Sequence, residues 1–545
     1  MEAQYQWVFE LCTMGSRAAY RIALGLLLTF VLGLSALLLA VGVTPANLFA
    51  NDHTILLDGA WRILHGQRPH LDWYSPLGPL PYLLCAFGMV AVGPCASATA
   101  CGNVLLFGVL SLWAWLIASS RLSAVTALLF AALVGAITIG THPLGHRLSD
   151  TSYAMLYNRQ GFALLSIVVL EVFLAPRHPR SRDQIIGGLS TGALTAALLF
   201  TKASYFLVAV AAVALAHLLR SGSRRWQAAY LAGGLAVLVP LVVFLQGGLG
   251  AMAGDLRLAA AARGPGFLAP WNLLVVTGYS VTPLLCLLMA WLVAPRVEKP
   301  EAGGLASRPL GLALGFMALA GLMLVNSNCQ WSDLPLIPVA ALVLFEHAGR
   351  QWQGKTRQGT KMPGVQYLCL AFFVLYPLGH LLCKDLAGIG YSAYLHYRVA
   401  PSVPYAQRIH SPSLGDLVVL PRNDERNQVP YVAKINDGLA LLRPRLRPES
   451  RILTLDSNNP FSHLLLQIPP HSGAAWLNLG TSIGPRAFPP PQRLFREVTL
   501  LMVPKPAADP TGNGAFLRRA YRDYVRQHFR WQAESRYWAL LARYR

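Results

Sequence analysis

Acidic residues are scarce, with 24 Asp and Glu in 545 residues against 45 Lys and Arg, and all charged residues together make up 13% of the chain. An ordinary soluble domain carries about 25% charged residues, so the composition excludes both a plain soluble protein and a disordered one. Cysteine is also sparse. Eight residues cannot staple a chain of this length; all precede Lys384, and several, such as Cys85, Cys286 and Cys369, fall inside apolar runs as small core residues. The absence of any CxxC argues against a structural zinc site or a dithiol redox site. No internal repeat is visible.

Hydrophobic residues make up 54% of the chain, and between Arg21 and Cys383 they arrive in runs of a length that spans a bilayer as helix. Candidate spans are 22–43, 76–94, 101–118, 122–140, 161–176, 185–200, 203–219, 228–247, 273–294, 310–325, 332–347 and 364–383. The first follows Arg17 and Arg21 as a signal peptide would, but it is longer than a signal's apolar region and lacks a small-x-small cleavage site, so it reads as an uncleaved span. The short basic loops around Arg177, Arg220, Arg296 and Arg350 belong in the cytoplasm by the positive-inside rule, which explains the basic balance without a nucleic-acid partner. Twelve crossings would bring the tail back inside. The segment 76–94, with Pro76, Pro79 and Pro81 at its start, is therefore expected to be re-entrant, which leaves about eleven spans.

After Cys383 the pattern becomes that of a soluble domain. Apolar runs at 416–420, 451–456 and 498–503 alternate with helical stretches near 431–443, 460–467 and 513–528, which predicts a small α/β domain. Neither GxGxxG nor GxxxxGK[ST] occurs there, so no nucleotide site is indicated. The expected organisation is an α-helical polytopic membrane bundle over 1–383 and an extracytoplasmic α/β domain over 384–545.

The first outer loop carries the most chemical information. Asp52 stands just beyond the first span, 58–64 reads as a short amphipathic helix in the membrane interface with Asp58 on its solvated face, and Gly66-Gln-Arg-Pro-His-Leu-Asp72 leads through Trp73-Tyr74 to Ser75-Pro-Leu-Gly-Pro-Leu80. This order resembles the GT-C superfamily of membrane glycosyltransferases, which includes the protein O-mannosyltransferases and the aminoarabinose transferases of lipid A. Those families share an acid just after the first span, then a helix running into G-x-x-P-[YH]-x-D and a Pro-Leu lead into the next apolar segment. Where they commonly have a second adjacent acid, His53 stands here.

The resemblance implies a sugar donor carried on polyprenyl phosphate, transfer with inversion to an acceptor outside the cytoplasm, and a bacterial inner-membrane location. It makes Asp52 the general base, since an acceptor hydroxyl is a poor nucleophile until a carboxylate takes its proton, and gives Asp72 a supporting catalytic role in the site, against helix capping or a loop salt bridge to Arg68 as the plainer readings. Arg159, beside Tyr157 and Asn158 in the next outer loop, and Lys202, between two apolar runs, are candidates for the donor phosphate. Arg257 and Arg263 are the next cations on that side. Trp331, in the polar loop 326–333, is a candidate for stacking on a sugar. The resemblance leaves a divalent cation held by His53, His65 or His70 with Asp52 and Asp72 as an alternative, since some members of the superfamily use one. These residues have no tetrahedral spacing, so no resident metal or other cofactor is expected. Two competing functions are a transporter or flippase, although neither an inverted repeat nor a set of ionisable residues deep in the spans is evident, and a membrane scaffold whose tail binds partners.

Overall fold

The computed structural model describes residues 16–219, 223–263, 270–295, 307–328, 330, 332–357, 364–420 and 431–544. In chain order the helices of the membrane part are α1 (Arg17–Val41), α2 (His53–Leu64), α3 (Leu80–Val92), α4 (Ser97–Ala118), α5 (Ala124–Ile139), α6 (Leu156–Phe173) and α7 (Ser181–Leu199). They continue as α8 (Ala203–Leu219), α9 (Arg224–Phe244), α10 (Leu249–Arg263), α11 (Pro270–Tyr279), α12 (Val281–Val293), α13 (Ser307–Ser327), α14 (Leu336–Arg357) and α15 (Gly364–Tyr394). Local signals set the ends. The Ser16 hydroxyl accepts the Ala19 N–H at 3.2 Å to open α1, and Gly42, at φ 64°, closes it.

Six described helices are long and apolar enough to cross a bilayer, those beginning at Arg17, Ser97, Leu156, Arg224, Arg308 and Gly364, and α11 with α12 makes a seventh if a 75° bend at Ser280 is allowed within one span. The chain is an integral membrane protein. Among the described residues this is fewer than the eleven or so expected, in part because α5 and α8 are shorter apolar helices, while α3 is short as a re-entrant segment would be. At 1.5 Å per residue the 13 residues of α3 reach about 20 Å, short of a core of about 30 Å. The bundle is also less free of charge than its sequence suggests. Glu171 of α6 pairs with Arg121 at 2.8 Å and Asp385 of α15 with Arg159 at 2.9 Å, all four buried.

Helices α7 and α9 pack backbone to backbone. A Cβ on Gly192 would stand 1.9 Å from the Tyr230 carbonyl oxygen, and one on Gly233 would stand 2.1 Å from that of Leu189. Small residues at such crossings let helices associate in lipid, where there is little hydrophobic drive between them. Gly192→Leu is expected to force the pair apart at a cost of about 1–3 kcal/mol, read as a lower melting temperature in detergent. An unchanged melting temperature would contradict this contact.

The last membrane helix runs on to Tyr394, so the pattern change at Cys383 falls within it. Beyond it come α16 (Tyr431–Leu442), β1 (Ile452–Thr454), α17 (Phe461–Leu464), α18 (Pro491–Phe495), β2 (Leu500–Pro504), α19 (Asn513–Ala520), α20 (Arg522–His528), β3 (Phe529–Glu534) and β4 (Trp538–Arg543). The sheet order is β1-β2-β4-β3, with β1 and β2 parallel (Ile452 opposite Leu500) and the other pairs antiparallel. The expected α/β alternation is present through β2. The basic stretch 513–528 is two short helices meeting at Tyr521, and the run 416–420 forms a single bridge, Val419 to Ala46, in place of a strand. Asp416 instead takes the N–H groups of Ala96 and Ser97 at 3.1 and 2.9 Å, capping α4 from a distance of more than three hundred residues.

Candidate functional site

Asp52 ends a one-turn 3-10 helix, Ala50–Asp52, between α1 and α2. Its N–H donates to the Phe49 carbonyl at 2.9 Å, and Asn51 Nδ2 donates to its Oδ1 at 3.2 Å. The side chain keeps a partial opening to solvent but is packed about by protein, and burial pushes its carboxyl from an ordinary 3.8 up to about 7. Among the described residues it forms no ion pair. His53, in the place of a second acid, is buried and held near 4 by that burial, hence neutral; its Nε2 accepts the Tyr153 N–H at 3.2 Å, which ties the first outer loop to the second.

Helix α2 departs from its expected place. It begins at His53 and is buried along most of its length in place of lying with one face in water, and Asp58, expected on a solvated face, is fully buried. The reason is a cover invisible from the local pattern. Arg62 Nε donates to Asp58 at 2.8 Å while its Nη1 donates to the carbonyls of Pro470 and Ser472 at 3.0 and 2.8 Å, so the C-terminal domain lies over this helix. The two parts are also joined by the bridge of Tyr74 to Ala474.

Asp72 closes a turn on itself, taking the Arg68 N–H at 2.7 Å, with His471 Nδ1 3.7 Å from its other oxygen. No described contact brings it to Asp52. The contact with Arg68 is to its main-chain N–H, a turn closure and not the salt bridge to that side chain expected as a plainer reading. Beside it, His70 (φ 71°) points Nδ1 at buried Asp255 of α10 at 3.0 Å, and Arg493 of the C-terminal domain grips the same carboxylate at 2.5 and 3.0 Å. This latch ties loop, helix and C-terminal domain together.

Tyr157 and Asn158, named beside Arg159 in the sequence, meet Lys202 instead. Its Nζ donates to Asn158 Oδ1 at 3.0 Å and to Asn328 Oδ1, and stands 4.9 Å from the centre of the Tyr157 ring. Asn328 also donates to the Tyr205 hydroxyl at 3.2 Å, and Trp476 of the C-terminal domain lies 6.5 Å from Tyr157, centre to centre. Arg263 reaches the same loop, donating to the Ser327 carbonyl and, at 3.2 Å, to that of Thr481. Trp331 lies outside the described residues. Arg159 is placed differently. Its guanidinium is buried and gives Nε to the His142 carbonyl at 2.7 Å, Nη1 to that of Ile137 at 3.1 Å and Nη2 to Asp385 at 2.9 Å. It is a pin between α5, α6 and α15, with each nitrogen occupied inside the protein.

Asp52 and the Lys202 cluster are linked through the C-terminal domain. Asn458 touches the Asp52 turn, and the Ser457 carbonyl before it accepts the N–H of Leu477, next to Trp476, at 2.7 Å. Among the described residues no three His, Cys, Asp or Glu side chains converge as metal ligands would. A separate cavity of about 260 Å³ lies between α11, α12, α14 and α15, lined by residues such as Tyr279, Asp333 and His380 and by neither Asp52 nor Lys202. Sequence reasoning missed Asn458, Tyr431, Asp255 and Arg493, because no local signal ties residues some two to four hundred positions away to the first loop.

An integral membrane bundle with a C-terminal α/β domain closed over the segment after its first helix is thus the class of protein the structure defines. No protein-family profile and no curated protein matches the chain. Two solved structures align along nearly its whole length. One is a crystal structure of ArnT from Cupriavidus metallidurans in the apo state, with 15% identity, 96% of this chain and 98% of that one covered, and a TM-score of 0.45. The other is of ArnT from the same organism bound to undecaprenyl phosphate, with 13% identity, 95% and 97% covered, and a TM-score of 0.43.

Proposed function

We propose that this protein is a membrane glycosyltransferase that moves a sugar from a polyprenyl-phosphate donor to an acceptor outside the cytoplasm, with Asp52 as general base. The observation that carries the reading is a carboxylate at the outer end of the first span, without a cation partner among the described residues and raised by burial to about 7. A base of that pKa is half-ionised at neutral pH and strong enough to take a hydroxyl proton. The first-loop pattern supports the same reading.

In the proposed step the acceptor hydroxyl gives its proton to Asp52 as its oxygen attacks the anomeric carbon from the face opposite the phosphate. The bond from that carbon to the phosphate oxygen breaks, and polyprenyl phosphate leaves with the electron pair, inverting the centre. No metal or cofactor is assigned to this step. Lys202, with Arg263 near Asn328, holds the phosphate, and Tyr157 and Asn158 shape that end of the site. Arg159 orders the helices around it. The sugar and the acceptor, whether lipid, glycan or protein, are open.

Loss of one charge-assisted contact costs about 1.5–3 kcal/mol, roughly 10- to 150-fold in affinity. Lys202→Gln is therefore expected to weaken binding of undecaprenyl phosphate, the probe used, by that order. Unchanged binding would move the phosphate site to Arg263 alone. The proposed sidedness puts everything after α15 outside the cytoplasm of a bacterial inner membrane. An alkaline phosphatase fused near the C-terminus should be active, and an inactive fusion would overturn the side of catalysis.

A further inference from the structure

We propose that the C-terminal domain is part of the catalytic centre through Asn458, a positioning residue that clamps the turn bearing Asp52. The inference rests on the reading of Asp52 as the base. Asn458 is buried in the loop that follows β1, at the carboxyl end of a strand paired in parallel, where α/β sheets present their working loops. Its Nδ2 donates to the Asn51 carbonyl at 2.5 Å and to the Thr54 hydroxyl at 2.8 Å. The Thr54 hydroxyl donates in turn to the same Asn51 carbonyl at 2.6 Å. Asn51 then reaches its neighbour, Nδ2 to Asp52 Oδ1 at 3.2 Å. One amide from the outer domain thus fixes the first turn of α2 and the residue whose side chain holds the carboxylate.

The surroundings fit a domain that shapes the base's environment. Burial above all keeps the Tyr431 hydroxyl protonated, against a bond with Thr54 and with a smaller push from the charges of Asp52 and Asp456, and Lys434 pairs with Asp456 at 2.6 Å. His53, on the other side along the chain, is neutral. Asp52 therefore owes its raised value to being covered, and the clamp keeps the cover in register with the turn. Without the clamp, water reaches the carboxylate and its midpoint falls toward an ordinary one.

The test reads Asp52 itself and needs no identified sugar. A pH titration of the protonated-carboxyl infrared band is recorded on the full-length protein in detergent, with Asp52→Asn marking which band belongs to that residue. Wild type should titrate near 7, and Asn458→Ala should lower the midpoint by about one pH unit or more. Thr54→Val, which keeps the shape and loses the linking hydroxyl, should shift it in the same direction and is read if Asn458→Ala fails to fold. Asp437→Ala, which loses the acceptor for the Ser535 hydroxyl and the Tyr537 N–H within the C-terminal domain, controls for loss of stability alone and should leave the midpoint in place. A wild-type midpoint near 7 that neither clamp variant moves overturns the clamp and leaves the base standing. A wild type with no band near 7 that Asp52→Asn removes overturns both.

Discussion

Asp52→Asn is expected to cut transfer by about 100- to 10,000-fold, the usual contribution of a positioned general base, while making the folded protein more stable above neutral pH. The amide keeps the shape and the contact with Asn51 but cannot accept a proton. The stability effect follows from linkage. The folded carboxyl sits at about 7 against an ordinary 3.8, so the native state holds this proton more tightly than the unfolded chain. Stability therefore falls as pH rises from about 4 to 7, and the whole penalty is present above 7. The uncharged amide removes it, so the variant should melt higher than wild type at pH 8 and show no such gain at pH 4. In wild type the transfer rate should climb through pH 7 as the base loses its proton. A variant that is inactive and also less stable at pH 8 would mark Asp52 as structural.

Arg159→Ala should produce an equally large effect of another kind, loss of the folded protein with no selective weakening of phosphate binding. Removing the guanidinium leaves the Asp385 carboxylate buried without its partner and two carbonyl oxygens without donors. Breaking a buried pair in this way costs about 3–5 kcal/mol, a large share of the roughly 5–15 kcal/mol that holds a typical domain. Replacing both members with apolar residues, Arg159→Met with Asp385→Leu, should recover folded material, because no charge is then left stranded. Gel filtration of the tagged proteins from membranes distinguishes the cases. If Arg159→Ala accumulates like wild type and loses only binding of undecaprenyl phosphate, the guanidinium belongs to the donor site.

The legible and illegible parts of this chain divide along physical lines. The first span, expected at 22–43 and found at Arg17–Val41, and the apolar runs 451–456 and 498–503, which hold β1 and β2, rest on local apolar pattern and were legible from it to within a few residues. The partnership of Tyr157 and Asn158 with Lys202 was not, since in sequence they stand beside Arg159 and only the packing of the helices brings the lysine to them. The hairpin of β3 and β4 was not foreseen. Its first strand, Phe529–Glu534, exposes Arg530, Trp531 and Gln532 in succession at a bulge, which erases the alternation that marks a strand. Burial of Asp58 was hidden for a different reason. A half-polar helix reads as an interfacial one unless the 470–472 segment that covers it is known, and that segment lies four hundred residues away. Arg159 shows the same limit, because a cation at the outer end of a span has one appearance in sequence whether it meets a phosphate or Asp385.

The most direct measurement is mass spectrometry of envelope glycolipids and glycoproteins from cells lacking the gene, complemented either with the wild-type protein or with Asp52→Asn at matched expression. One sugar substituent should be present with the wild type and missing from both other strains. Indistinguishable glycan profiles in all three, or a substituent restored in full by Asp52→Asn, would contradict a glycosyltransferase that works through this carboxylate.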